Sequence, residues 1–245
     1  MILHAENGAA PKCFVTTQWS VVLTAKGGTE DDVHSALDQL CCTYWWSLYV
    51  FVRARGYRVH DAQDLTQEFF TRGLAKDFLR AVDPSKGKFR SFLLGAMKNF
   101  LSKDWRRSQT EKRGGKFAFV SINDETAEQP YLQIFNSKDS PENIFEKQWA
   151  TTLLKEVTSR LREEFVASGK EEQFETTKVF LTGEKKTTCY AELAIRLGTT
   201  EGALKMEVCR MRERYGELLR AEIADTVSSP EEVEEELRAL FAALS

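Results

Sequence analysis

The stretch Thr188–Tyr215, TCYAELAIRLGTTEGALKMEVCRMRERY, decides how the rest of the chain is read. Tyr190, Leu193, Ala194 and Leu197 recur at helical spacing over one short segment, and Ala203, Leu204, Val208, Met211 and Tyr215 do so over a second. Gly198 stands between them. A tight turn between two helices needs a residue of positive φ, which glycine adopts at little steric cost, and the small Ala194 and Ala203 let the helices approach closely. The spacing predicts a helix-turn-helix; an ordinary helical hairpin with solvated charges is the alternative reading. In a helix-turn-helix the second helix lies in the major groove, its first turns facing bases and its cations near phosphate. Lys205, Arg210, Arg212 and Arg214 lie along it.

Outward from this segment the hydrophobic pattern stays helical after the first forty or so residues, which predicts an all-α protein. Ala62, Leu65, Phe69 and Phe70 mark one amphipathic helix within Asp61–Leu74. Phe89, Phe92, Leu93, Ala96, Phe100, Leu101 and Trp105 mark another. From Gly114 to Ser140 the periodicity disappears, Gly114-Gly115 and Pro130 break helix, and the segment reads as an interdomain linker. Ser140 is placed to cap a helix with Pro141 at its first position, and Trp149, Leu153, Leu154, Val157, Leu161 and Phe165 follow at helical spacing. Near the end, Ser229-Pro230-Glu231-Glu232 reads as a capping box before an amphipathic stripe of Val233, Leu237, Leu240, Phe241 and Leu244. That tail helix is expected to dock on the second domain or to fold over the basic recognition surface, a solvated, weakly docked tail being the alternative reading. The domains expected are thus 14–113, 141–225 after a linker at 114–140, and an acidic C-terminal helix at 226–245.

The 245 residues are 42% hydrophobic and 29% charged, with 14 Gly and 5 Pro, which is globular composition rather than disordered or collagenous. The longest nearly apolar run, Tyr44–Val52, falls far short of the ~20 residues that span a bilayer, so no membrane helix is expected. The N-terminus lacks a basic patch followed by an apolar run, so secretion is not expected either. Five cysteines, an odd number without a C-x-x-C pair, fit neither a disulfide framework nor a zinc site; reduced thiols in a cytoplasm are the expectation. Three His without ligand-spaced partners, no P-loop and no dinucleotide turn leave little from which to build an active site. No enzymatic activity and no cofactor are expected.

The net charge of −3 conceals segregation. Glu30–Glu68 carries seven acids against Arg53, Arg55 and Arg58, a net of −4. Lys86–Lys116 carries ten bases against Asp104 and Glu111, a net of +8, enough for a nucleic-acid footprint. Lys185–Arg220 has a net of +3, whereas Ala221–Ser245 has seven acids and only Arg238, a net of −6.

Four segments in order resemble the bacterial sigma-70 family, and most closely its compact two-domain ECF (extracytoplasmic function) sigma factors: DAQDLTQEFF at 61–70, KFRSFLLGAMKNF at 88–100, YAELA at 190–194 and GALK at 202–205. The likeness runs roughly from Phe14 to Ile223. It implies an all-α chain of a sigma domain 2-like bundle and a sigma domain 4-like helix-turn-helix. It also implies that Asp64, Gln67 and Glu68 face the clamp helices of the largest subunit of core RNA polymerase, with the flap as a further contact. Acidity there suits a basic protein surface and would repel DNA.

The basic helix and the loop before it correspond to the promoter-opening element, which meets double- and single-stranded promoter DNA. Melting needs a cationic track and a site for an unstacked base, with stacking worth ~1–3 kcal/mol per base. Lys86, Lys88, Arg90, Lys98, Lys103, Arg106 and Arg107 would form the track, and Gly87, Lys88, Phe89 and Asn99 would border the pocket of the minus-ten element. In the helix-turn-helix, Thr200, Glu201, Gly202, Lys205, Met206 and Arg210 would face the minus-thirty-five element. The chain departs from the common pattern at Met206 and Glu207; a carboxylate in the groove must accept from a cytosine amino group or turn away. The resemblance leaves room for an anti-sigma protein as a further partner. A stand-alone helix-turn-helix regulator is the rival reading, and a sigma-like protein that binds polymerase without reading promoters is a third.

Overall fold

The computed structural model describes residues 22, 29–73, 83, 88–111, 139–181, 190–227 and 229–245. The described residues are helical without strands. The linker expected at 114–140 lies outside them apart from Asp139 and Ser140, as do Lys86 and Gly87. The chain divides into two compact units, residues 1–150 with 225–245, and residues 151–224.

In the first unit, α1 (Glu30–Ala54) starts at a capping box: Thr29 Oγ1 accepts from the Asp32 amide at 3.3 Å, and the Thr29 amide donates to the Asp32 carboxylate at 3.0 Å. Leu40, Tyr44, Leu48, Phe51 and Val52 form its buried stripe. Helix α2 (Val59–Glu68) buries Ala62, Leu65 and Thr66 and runs into a π-helical turn, Phe69–Gly73, that turns Phe69 and Phe70 inward. Thr71 Oγ1 fills that wide turn, donating to the carbonyls of Gln67 (3.0 Å) and Glu68 (3.2 Å).

Helix α3 (Phe89–Glu111) packs Phe89 edge-on against Tyr44 at 5.7 Å and Phe100 against Phe69 at 5.6 Å. Its buried stripe is Phe89, Arg90, Leu93, Leu94, Met97 and Leu101, with Phe92, Ala96 and Phe100 half-buried. The stripe read from the sequence is therefore rotated, because Arg90, a charge, takes a core position. Helix α4 (Pro141–Ala167) begins as expected at Ser140, whose Oγ accepts from the Asn143 amide at 3.1 Å. Its first residues bury Ile144, Phe145 and Trp149 in the first unit, where Phe145 meets Phe51 at 6.5 Å.

In the second unit, the rest of α4 joins α5 (Glu171–Thr177), a 3-10 turn (Lys178–Phe180), α6 (Tyr190–Arg196) and α7 (Glu201–Ala224). Leu161, Phe174, Ala194, Leu204, Val208 and Met211 form the core, and Tyr190, Leu193, Leu197 and Tyr215 pack around it. Two glycines make the turns. Gly169 (φ 69°) closes α4, and Gly198 (φ 63°) closes α6, each followed by an amide that reaches five residues back: Lys170 to Phe165 at 2.8 Å and Thr199 to Ala194 at 2.9 Å.

The C-terminal segment belongs to the first unit, so docking on the second domain, one of the placements expected for it, is not the one seen. After a 3-10 turn at Pro230–Glu232, α8 (Val233–Leu244) buries Glu236, Leu237 and Leu240 and leaves Phe241 55% exposed at the edge of its stripe. The capping box expected at Ser229 does not form. Ser229 makes no cap bond, and its hydroxyl instead meets the Glu231 carboxylate, holding that carboxyl below its ordinary value.

Candidate functional site

The acidic face of the first unit is set by α2. With Ala62, Leu65, Thr66 and Phe69 turned inward, the 3.6-residue period places Asp64 and Gln67 on the opposite side, where both are exposed. Glu68 is half-buried at the flank, and Asp61 and Gln63 are exposed beside them. Asp61, Asp64 and Glu68 make this face acidic.

The basic helix α3 does not present its cations evenly. Asn99 and Lys103 are exposed, and Lys103 makes no ion pair among the described residues. Lys98, 40% exposed, binds Glu142 at 2.8 Å, which holds that carboxyl below its ordinary value. Arg90, only 6% exposed, donates through Nε to Glu146 at 2.7 Å, pairs through Nη1 with Glu236, and lies 4.0 Å from the centroid of the Trp149 ring. Lys88 also pairs with Glu236. Phe89 is buried at 2% exposure, so it stands in the core rather than at a pocket rim. The backbone at Arg106 and Arg107 is helical.

In the second unit the helix-turn-helix geometry is built locally. Thr200 caps α7, its Oγ1 accepting from the Ala203 amide at 3.2 Å. Ala203 is exposed and does not lie between the helices; Ala194 alone provides the close approach expected of the pair. Gly202, Met206, Cys209 and Arg210 lie on the exposed side of α7, Met206 being 56% exposed, and Ile195 of α6 is 80% exposed. Most of the basic side chains on α7 are committed elsewhere. Lys205 pairs with Glu201 at 2.6 Å and lies over the Tyr190 ring. Arg212 donates to the Phe180 carbonyl at 2.9 and 3.2 Å. Arg214 grips both oxygens of Glu164 at 2.6 and 2.9 Å and also meets Glu217 at 2.7 Å. Arg210 makes no such contact among the described residues. Glu207 is half-buried and lines a cleft of about 260 Å³ with Glu164, Lys170, Arg210 and Arg214, on the flank of α7.

The Arg214 fork holds the Glu164 carboxyl below its ordinary value of 4.5. A carboxylate lowered on folding contributes stability above its unfolded value and loses it as pH falls through the folded one. Thermal melting of the wild type should therefore fall on acidification below about pH 4.5, and Glu164→Gln should flatten that dependence; an identical slope would exclude the pair as a contributor.

Comparison of the chain with protein-family models, with curated protein sequences and with solved structures finds no match. The residues that sequence reasoning missed are the partners: Glu142, Glu146, Trp149 and Glu236 around α3, and Glu164 and Phe180 around α7. Only Glu236 carried a signal. It sits three residues after Val233 and four before Leu240, on the apolar side of α8.

Proposed function

We propose that the chain is a sigma factor of the ECF type: it binds core RNA polymerase, directs it to a two-part promoter and helps open the DNA, carrying out no bond chemistry itself. The observation that carries this reading is the separation of surfaces. An exposed acidic face on α2 and a basic helix α3 belong to one unit, and a helix-turn-helix with a left-handed Gly198 turn belongs to another. Two unlike partners, a basic protein surface and a nucleic acid, account for such a division; a dimeric regulator reading a palindrome needs no acidic helix face.

On this reading Asp64, Gln67 and Glu68 meet the polymerase clamp. Asn99 and Lys103, with Arg106 and Arg107, meet the opened minus-ten strand. The minus-thirty-five contact would be made by Gly202, Met206 and Arg210, flanked by Thr200, which caps the helix, and by the exposed Glu201–Lys205 pair, a weak surface contact that DNA can displace. That sparse cationic face supports a second reading, in which polymerase is bound but the upstream element is read weakly.

The test separates phosphate contacts from base reading. Lys103→Ala and Arg106→Ala should each reduce the salt slope of binding to forked promoter DNA by roughly 0.7–0.9 without changing sequence preference. Met206 and Arg210 substitutions should instead change which upstream sequences are preferred. If both kinds of change act alike on every sequence, the assignment is wrong.

A further inference from the structure

Carboxylates from α4 and α8 cover the start and middle of the basic helix. Glu142 takes Lys98, Glu146 takes one edge of the Arg90 guanidinium, and Glu236 takes its other edge together with Lys88. Glu232 and Glu235 lie close enough to raise the Lys88 pKa against the larger lowering by burial. These are the donors a nucleic-acid backbone would use, and each now faces a carboxylate oxygen in place of a phosphate oxygen. Glu236 is wholly buried.

Stability alone explains that residue poorly. A buried ion pair seldom outperforms well-packed apolar groups, because desolvation of both charges offsets their attraction. A leucine between Val233 and Leu240 would continue the apolar stripe of α8. The helix is also lightly held: it has twelve residues, Leu237 and Leu240 are its buried apolar side chains, and Phe241 stays exposed.

We infer that α8 is a built-in occupant of the nucleic-acid surface, its Glu236 carboxylate standing on Lys88 and Arg90 where a strand phosphate would bind, so that a DNA strand must displace the helix to reach them. The inference rests on the reading of α3 as the strand-binding element.

The full-length chain is titrated with a fluorescein-labelled oligothymidylate at several salt concentrations, beside Glu236→Gln and the exposed neighbour Glu235→Gln. Glu236→Gln should bind about tenfold more tightly than wild type, with a salt slope steeper by roughly 0.7 as Lys88 is freed while Arg90 stays on Glu146; Glu235→Gln should change the slope little. A second measurement needs no variant. Hydrogen exchange of the amides at 233–244 in the wild type should accelerate when the oligothymidylate is saturating. Wild-type binding with unchanged slope in Glu236→Gln, or with unchanged protection of 233–244, overturns the inference and leaves the reading of α3 standing. No binding by either protein at low salt overturns that reading, and the inference with it.

Discussion

Arg90→Ala should lower the unfolding free energy of the first unit by about 3–5 kcal/mol, because it strands a buried carboxylate. Arg90 is 6% exposed and Glu236 is 0% exposed, so water cannot replace the lost partner without the helix opening. The substitution also removes the Nε bond to Glu146 and the contact with the Trp149 ring. For a chain of this size the loss corresponds to a melting-temperature drop of about 10 °C. Arg90→Lys should fall between, since an ammonium has no planar fork to serve two carboxylates at once. The double variant Arg90→Met/Glu236→Leu should recover most of the loss, because the cost lies in the unpaired charge rather than in a missing attraction. A single variant that melts within about 1 kcal/mol of wild type would show that Glu236 is not held as described.

Phe174→Ala should cost about 3–5 kcal/mol in the second unit, the range for removing a fully buried aromatic ring. Phe174 is 1% exposed at the centre of the cluster formed by Leu161, Ala194, Leu204, Val208 and Met211, and it meets Phe165 at 5.5 Å. Loss of the ring takes support from both helices of the helix-turn-helix. On the proposed sigma-factor reading, duplex binding should weaken in step with urea sensitivity while co-elution with core RNA polymerase through the α2 face is retained. A variant as urea-resistant as wild type would place the core elsewhere.

These two residues also mark where the sequence was opaque. Phe174 stands in a helix of seven residues, too short to show a period, and nothing in EEQFETT distinguishes a core aromatic from a loop one. The burial of Arg90 was not foreseen, because its partners, Glu146 and Glu236, are 56 and 146 residues away. Long-range pairing of that kind leaves no trace in local pattern. For the same reason the apolar stripe of α3 was read slightly rotated, with Phe89, Leu93 and Leu101 buried as expected but Phe92, Ala96 and Phe100 only half-buried, and the docking site of the tail helix was left open between alternatives. An amphipathic stripe shows that a helix docks, not on what.

Local devices were legible. The Ser140–Pro141 start of α4, the positive φ at Gly198 and the burial of Ala194, Leu204, Val208 and Met211 follow from capping, turn chemistry and 3.6-residue spacing. The charge blocks were legible as sums but not as surfaces. The +8 block holds three cations already bound to carboxylates, Lys88, Arg90 and Lys98. On α7 the Lys205, Arg212 and Arg214 side chains are likewise engaged. A count of bases gives the capacity of a segment for phosphate, whereas the carboxylates packed against it decide how much of that capacity is open.

The most direct test of the sigma-factor reading is co-elution of the purified chain with bacterial core RNA polymerase, run beside the double charge reversal Asp64→Arg/Glu68→Arg. Asp64 is exposed and Glu68 lies at the flank of the same helix, so the reversal changes the charge of the α2 face while Ala62, Leu65 and Thr66 keep their packing. The account predicts that the wild-type chain co-elutes with the polymerase and that the double variant, folded by its melting curve, does not. A wild-type chain that runs alone as a dimer, or a double variant that co-elutes as well as wild type, would contradict it.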